Sequence, residues 1–154
     1  MSRFESVLGG ADELNAEPAP FTYDCPTFDN GKQAVMLARS DRLIASVQVL
    51  KEGGENNLHS HPHQDGFWMV LKGCARFYGE NDVLIAELGA HQGILIPRNT
   101  RYWFEMSGSE PLELLQVEAF TKPLRAAREI AEDRVDYAPR VIGDVVVHEG
   151  RWKK

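Results

Sequence analysis

The sequence predicts an all-β fold, an antiparallel barrel, on three observations. Between Gln33 and Phe120 the apolar residues fall into nine short runs, alternating or continuous, parted by turn-forming residues. No helical periodicity intervenes between those runs. The chain has 154 residues, of which 43% are hydrophobic and 26% charged, enough to bury a core and suited to a single domain.

The elements follow in order. Residues 1–32 form an N-terminal arm: Gly9-Gly10, Pro18, Pro20, Pro26 and Asn30-Gly31 are too dense a set of turn formers for a regular element, so an extended arm with short turns is expected. The barrel core spans about 33–120. Its predicted strands are Gln33–Arg39, Arg42–Leu50, Asn57–His61, Phe67–Leu71, Ala75–Tyr78, Val83–Leu88, Ile94–Ile96, Tyr102–Glu105 and Leu112–Phe120. Ser40-Asp41, Gly79 to Asp82 and Ser107 to Pro111 supply turn chemistry between them. In the last segment, 121–154, a C-terminal helix is expected, with Thr121 as N-cap, Pro123 in the first turn and Leu124, Ala127, Ile130 and Ala131 on one face. Arg125 with Glu129 and Arg128 with Glu132 pair on the solvated face. The closing run Asp144 to His148 is β-like and suited to pairing with a barrel edge or with a partner subunit.

Composition excludes several functions. Seventeen basic against 23 acidic residues give a formal charge of −6, the wrong sign for neutralising phosphates, so no nucleic acid partner is expected. No apolar run approaches a membrane span and none behind Met1 reads as a secretory signal; the expectation is a soluble cytoplasmic protein without a membrane partner. Cys25 and Cys74 have neither metal nor redox spacing and read as reduced thiols.

The chemistry concentrates in one stretch. Three of the five histidines, His59, His61 and His63, lie within five residues. On a strand His59 and His61 project to one face, where two imidazoles suit Zn, Mn, Fe, Co, Ni or Cu. A third ligand must come from elsewhere, and Asp65 is the nearest carboxylate, completing a two-His, one-carboxylate set. His63, after Pro62, reads as a loop neighbour outside the site, and Gln64 as an alternate ligand.

With these residues in view, Gly53-x5-His59-x-His61, an acidic position just beyond and Gly73 resemble the first motif of the cupin superfamily, including Pro62 and the Val70-Leu71-Lys72-Gly73 strand end. The second motif is degraded: aligned on Pro97, His91 stands at its first glycine, Asn99 at its second, Tyr102 at its histidine and Met106 at its asparagine. The resemblance covers about residues 33–120 and implies a small double-stranded β-helix, or jelly-roll, barrel that commonly dimerises, with a metal in its open mouth. In the usual acid position, five after the second histidine, stands Gly66; Asp65 is one residue earlier.

The expected site is therefore His59, His61 and Asp65 on a divalent metal, Fe, Mn, Zn, Ni and Cu being indistinguishable, with Tyr102 as the catalytic residue that orients substrate or moves a proton. Trp68, Phe104 and Arg101 are expected to bind substrate, the rings as an aromatic cavity and the guanidinium as a carboxylate clamp, a role also open to Arg76 and Arg98. The expected partners are a small organic molecule and a second copy of the chain, to which outward-facing Trp103 and Trp152 are suited. The function so implied is a metal-dependent enzyme of dioxygenase, isomerase or lyase type; the alternative is a non-catalytic small-molecule-binding barrel with a vestigial metal site.

Overall fold

The structure is a computed structural model that describes residues 13–126, 129, 134–137 and 146–150. Its strands are β1 (Lys32–Arg39), β2 (Leu43–Leu50), β3 (Gly54–Ser60), β4 (Gln64–Lys72), β5 (Cys74–Tyr78), β6 (Leu84–Leu88), β7 (Gly93–Ile96), β8 (Tyr102–Ser107), β9 (Leu112–Phe120), β10 (Val135–Asp136) and β11 (Val146–Glu149). They form a six-stranded sheet, β11-β1-β2-β9-β4-β7, facing a five-stranded one, β10-β3-β8-β5-β6. The sheets are not joined into a closed barrel: each keeps its own ladder and edge strands, and the jelly roll is a sandwich.

Period-two alternation puts one face of each strand inside. On β9, Leu112, Leu114, Gln116, Glu118 and Phe120 are buried; on β4, Gln64, Gly66, Trp68 and Val70 are. Leu112, Leu114, Trp68 and Val70 build the main core with Leu50, Ala75, Phe77, Tyr102 and Phe104, each large apolar side chain contributing roughly 1.5–3 kcal/mol by its burial. Phe77 and Phe104 stack at 5.3 Å, and Trp68 leans on Phe104 at 5.0 Å. A smaller cluster of Met36, Ile44 and Phe120 closes one end, with Leu14 of the arm and Leu124 packed against it.

The described part of the arm is extended, as expected, and tied down at intervals. The Asn15 N–H donates to Arg39 O, Tyr23 donates to Glu113, and Lys51 donates to Phe28 O. Of the closing run, Val146 to His148 take the first of the two expected pairings, since β11 lies parallel to β1 at the sheet edge, while Asp144 and Val145 lie outside the described residues. The C-terminal helix is a correction, since no α-helix occurs among the described residues. Residues 121–126 form bends, where Leu124 N–H donates to Asp41 O and Arg125 N–H to the Glu129 side chain, giving the segment tertiary and side-chain partners instead of a helical ladder. The Arg125–Glu129 ion pair is present at 2.9 Å. Ala127, Arg128 and residues 130–133, which the helix expectation also covered, and Trp152 lie outside the described residues. No helix of the described residues is long and apolar enough to cross a membrane.

Candidate functional site

One end of the sandwich gathers the polar interior. There β3 ends at His59 and Ser60, β8 begins at Tyr102, β4 begins at Gln64, and β9 carries Glu118. His59 and Tyr102 are ladder partners, with ring centroids 4.4 Å apart. His61 lies just past the strand, yet its ring reaches the His59 ring edge-on at 5.1 Å. All three are buried.

His59 Nδ1 lies 2.9 Å from Asn57 O. A carbonyl only accepts, so Nδ1 carries a proton, and in the neutral ring Nε2 then holds the lone pair. His61, Gln64, Gly66, Thr100, Tyr102 and Glu118 line one narrow pocket between the sheets, with Ile96 and Pro97 at its side; its cavity volume is about 10 Å³, room for about one water.

Two residues in that wall were not anticipated as central. Glu118 is fully buried on β9, and its ladder partner on β4 is Gly66, the position where the motif's acid would stand. Gln116 Nε2 donates to Glu118 Oε1, and Gln48 Nε2 donates to Gln116 Oε1, so a file of buried amides holds the carboxylate. Gln64, weighed above only as an alternate ligand, is buried in the same wall. The signal was strand parity: Leu112 and Leu114 face inward, so Gln116 and Glu118 must follow.

The predicted metal set is a correction. Asp65 sits on the opposite face of β4 from Gln64 and Gly66; its Oδ1 accepts from Arg98 N–H at 2.9 Å and its Oδ2 pairs with Arg98 Nη1 at 3.3 Å, both side chains well exposed. Among the described residues no group of three or more His, Cys, Asp or Glu side chains is placed to hold one metal ion together. The residues at the histidines thus do not fit the expected two-His, one-carboxylate centre. Arg101 is likewise outside the pocket, paired with Glu80 at 2.7 Å and stacked over Tyr137 at 3.9 Å. Arg76 pairs with Glu87 on the surface. Trp68 and Phe104 are core residues behind the pocket rather than an open aromatic cavity. His63 is exposed, as expected. Outward Trp103 is half-buried, stacked on Tyr78 at 4.3 Å and bonded to Asp82.

His91 and Asn99, at the two glycine positions of the second motif, have φ of 67° and 68°, the left-handed region that asparagine and histidine enter more readily than most residues. Gly73 of the first motif has φ 86°, and a β-carbon there would come within 2.6 Å of Pro111 O.

The family model described as "Cupin domain" matches residues 46–118. Residues 46–118, just under half of the chain, are similar to a cupin domain. Similar solved structures agree on the fold. An uncharacterised double-stranded β-helix protein of Klebsiella pneumoniae aligns with a TM-score of 0.58 and 18% identity, over 74% of this chain and 90% of that one. An RmlC-like cupin of Desulfovibrio desulfuricans aligns with a TM-score of 0.55 and 18% identity, over 68% and 97%. Among curated proteins, a putative mannose-1-phosphate guanylyltransferase of Vibrio cholerae is 25% identical over 83 residues; the match covers 54% of this chain but 17% of that much longer protein.

Proposed function

We propose that this domain is an enzyme of isomerase or lyase type that moves a proton on a small organic molecule, with His61 as base and Tyr102 as acid. The observation that carries the reading is that both side chains, buried, wall one pocket that also holds a carboxylate. Imidazole and phenol are suited to taking and giving a proton at neighbouring atoms of a substrate held between them, and a group so placed contributes about 10²–10⁴-fold in rate. His59 acts as a positioning residue: fixed through Nδ1 to Asn57 O, its ring contacts both His61 and Tyr102. The experiment is deuterium wash-in from D2O, followed by proton NMR, across a panel of aldoses, ketoses and keto acids. Wash-in that falls about 100-fold or more in both His61→Gln and Tyr102→Phe is the expected result. No wash-in across the panel, or an undiminished rate in either variant, refutes the reading.

A second reading places a divalent ion on His59 and His61. The Nδ1 bond to Asn57 favours it, because metal-ligating histidines commonly anchor their other ring nitrogen on a backbone carbonyl. Such an ion would supply Lewis-acid polarisation of a substrate oxygen. About one equivalent of metal in protein purified without a histidine tag, lost in His59→Ala/His61→Ala, supports it; a content unchanged by the double substitution removes it. The proposed second copy of the chain is supported by Phe67 and Leu95, ladder partners that are both exposed on the outer face of the larger sheet. Light scattering of Leu95→Lys against wild type tests that dimer.

A further inference from the structure

A second cavity opens just past the end of β9, where the chain folds back over the start of β4. Its volume is about 320 Å³, and it shares no lining residue with the histidine pocket. That size falls within the roughly 300–1,000 Å³ common for small-molecule sites. Phe120, Pro123 and Leu124 give it an apolar wall, and His63, Lys122, Arg125 and Glu129 a polar one.

The cavity is built from fastened chain. Thr121 N–H donates to His63 O at 2.9 Å, Leu124 N–H to Asp41 O at 2.7 Å, and Arg42 Nη1 to Thr121 O at 3.2 Å. Phe120 and Leu124 belong to the smaller core cluster with Met36 and Ile44, so the apolar wall cannot fall into the cavity without giving up that packing.

Charge decides what the cavity suits. The chain carries −6 overall, yet Lys122, Arg125 and His63 stand here against one carboxylate. That carboxylate is committed: Glu129 Oε1 accepts from Arg125 Nε at 2.9 Å and Oε2 from Arg125 N–H at 3.1 Å. The Glu129 side chain is 18% exposed and that of Arg125 91%, so the guanidinium is pinned by its Nε edge with its head in the open. Both Nη nitrogens are without a partner among the described residues, and Lys122 forms no ion pair among them. Guanidinium and ammonium only donate, so the group that answers them is an anion. The planar Nη fork matches a carboxylate, and Glu129 in the same wall repels a dianion more than a monoanion.

We infer that this cavity is a binding site for a small organic monocarboxylate with an apolar body. Its carboxylate takes the Arg125 Nη fork and Lys122, and its body lies on Phe120, Pro123 and Leu124. The inference goes beyond the proton-transfer reading and does not rest on it, since His59, His61 and Tyr102 take no part.

The test follows the imidazole proton resonances of the full chain, with His63 assigned by His63→Gln among the five histidines. Hexanoate, benzoate and 3-phenylpropionate are titrated beside hexanol, benzamide, acetate and inorganic phosphate. At least one apolar carboxylate is expected to shift His63 saturably while His59 and His61 stay in place. Its neutral counterpart, acetate and phosphate are expected to bind about tenfold or more weakly, the carboxylate's share being a charge-assisted contact. Lys122→Gln, at an exposed position, and Arg125→Gln are each expected to weaken that carboxylate about tenfold with the far-UV spectrum unchanged. Equal binding of the neutral counterpart, tighter binding of phosphate, a shift of His59 or His61 in place of His63, or undiminished affinity in both variants overturns the inference. No response to any carboxylate also overturns it, and a mass by light scattering that halves in Lys122→Glu then gives the cavity to a second copy of the chain.

Discussion

Replacing Asp65 by alanine separates the two accounts of the site, because motif spacing makes Asp65 a metal ligand while the fold makes it a surface clasp. Asp65 makes two contacts, both with Arg98: a backbone N–H bond at 2.9 Å and an ion pair at 3.3 Å between side chains 40% and 49% exposed. An exposed pair of that kind is worth about 0.2–1 kcal/mol after solvent screening. The bond to the Arg98 N–H, in the loop between β7 and β8, adds about 0.5–1.5 kcal/mol. Asp65→Ala should therefore lower stability by about 1–2 kcal/mol and Tm by roughly 2–8 °C for a chain of this size. Asp65→Asn keeps the oxygen that accepts from the Arg98 N–H, and should recover the larger part. The ion-pair share should fade in about 1 M salt, where the screening length is near 3 Å. Calorimetry and urea unfolding measure these shifts; metal content reports the pocket and should match wild type. An Asp65→Ala protein that unfolds like wild type but loses a bound divalent ion would refute the reasoning, since the carboxylate would then be serving the histidines.

Three other outcomes follow from the packing and titration chemistry. Phe77→Ala removes a fully buried ring in contact with Trp68, Tyr102 and Phe104, and should cost about 3–5 kcal/mol in urea unfolding; a loss below about 1 kcal/mol would mean the core is not packed as described. Gly93→Ala puts a β-carbon 2.2 Å from Trp68 O, a main-chain clash that only separation of β7 from β4 relieves, so hydrogen exchange along Gly93–Ile96 should accelerate while β5 and β8 stay protected. The Tyr23 phenol is held well above its ordinary value near 10, first by burial and then by its hydrogen bond to Glu113. A group raised on folding stabilises fully below its unfolded value and loses that contribution as pH climbs toward the folded one, so the Tyr23 contribution should be constant below about pH 10 and fall above it. In Tyr23→Phe this alkaline decline should be shallower; an identical decline would show that the arm is not fastened there.

How far the site was legible depends on whether a residue's partner lies along the strand or across the ladder. The Leu112–Phe120 strand was readable to the residue because its alternation is local and strong. The polar start of β3 was not: Gly54 to Asn56 carries no β signal, and Gly54 and Glu55 are in the strand because β8 offers them a ladder. His59 and His61 were legible for the same reason as β9, two residues of one parity beside each other.

The carboxylate was not, and the cause is physical. A spacing rule counts along the chain, so it moved the missing acid by one residue, from Gly66 to Asp65; but one residue on a strand is a change of face, and the aspartate went to Arg98. The ladder offers a different substitution, one step sideways at constant parity, and there the register of β4 with β9 sets Glu118 opposite the empty position. That register is the product of turn lengths and bulges along fifty residues, including the shift between Val70 and Lys72, and no local window contains it. His91 and Asn99, at the motif's two glycine positions, take the left-handed backbone that glycine enters most readily. Here the buried carboxylate lies across the ladder from Gly66 and not along the strand from it, so the polar site of this fold is found by parity and register and not by the spacing of a motif.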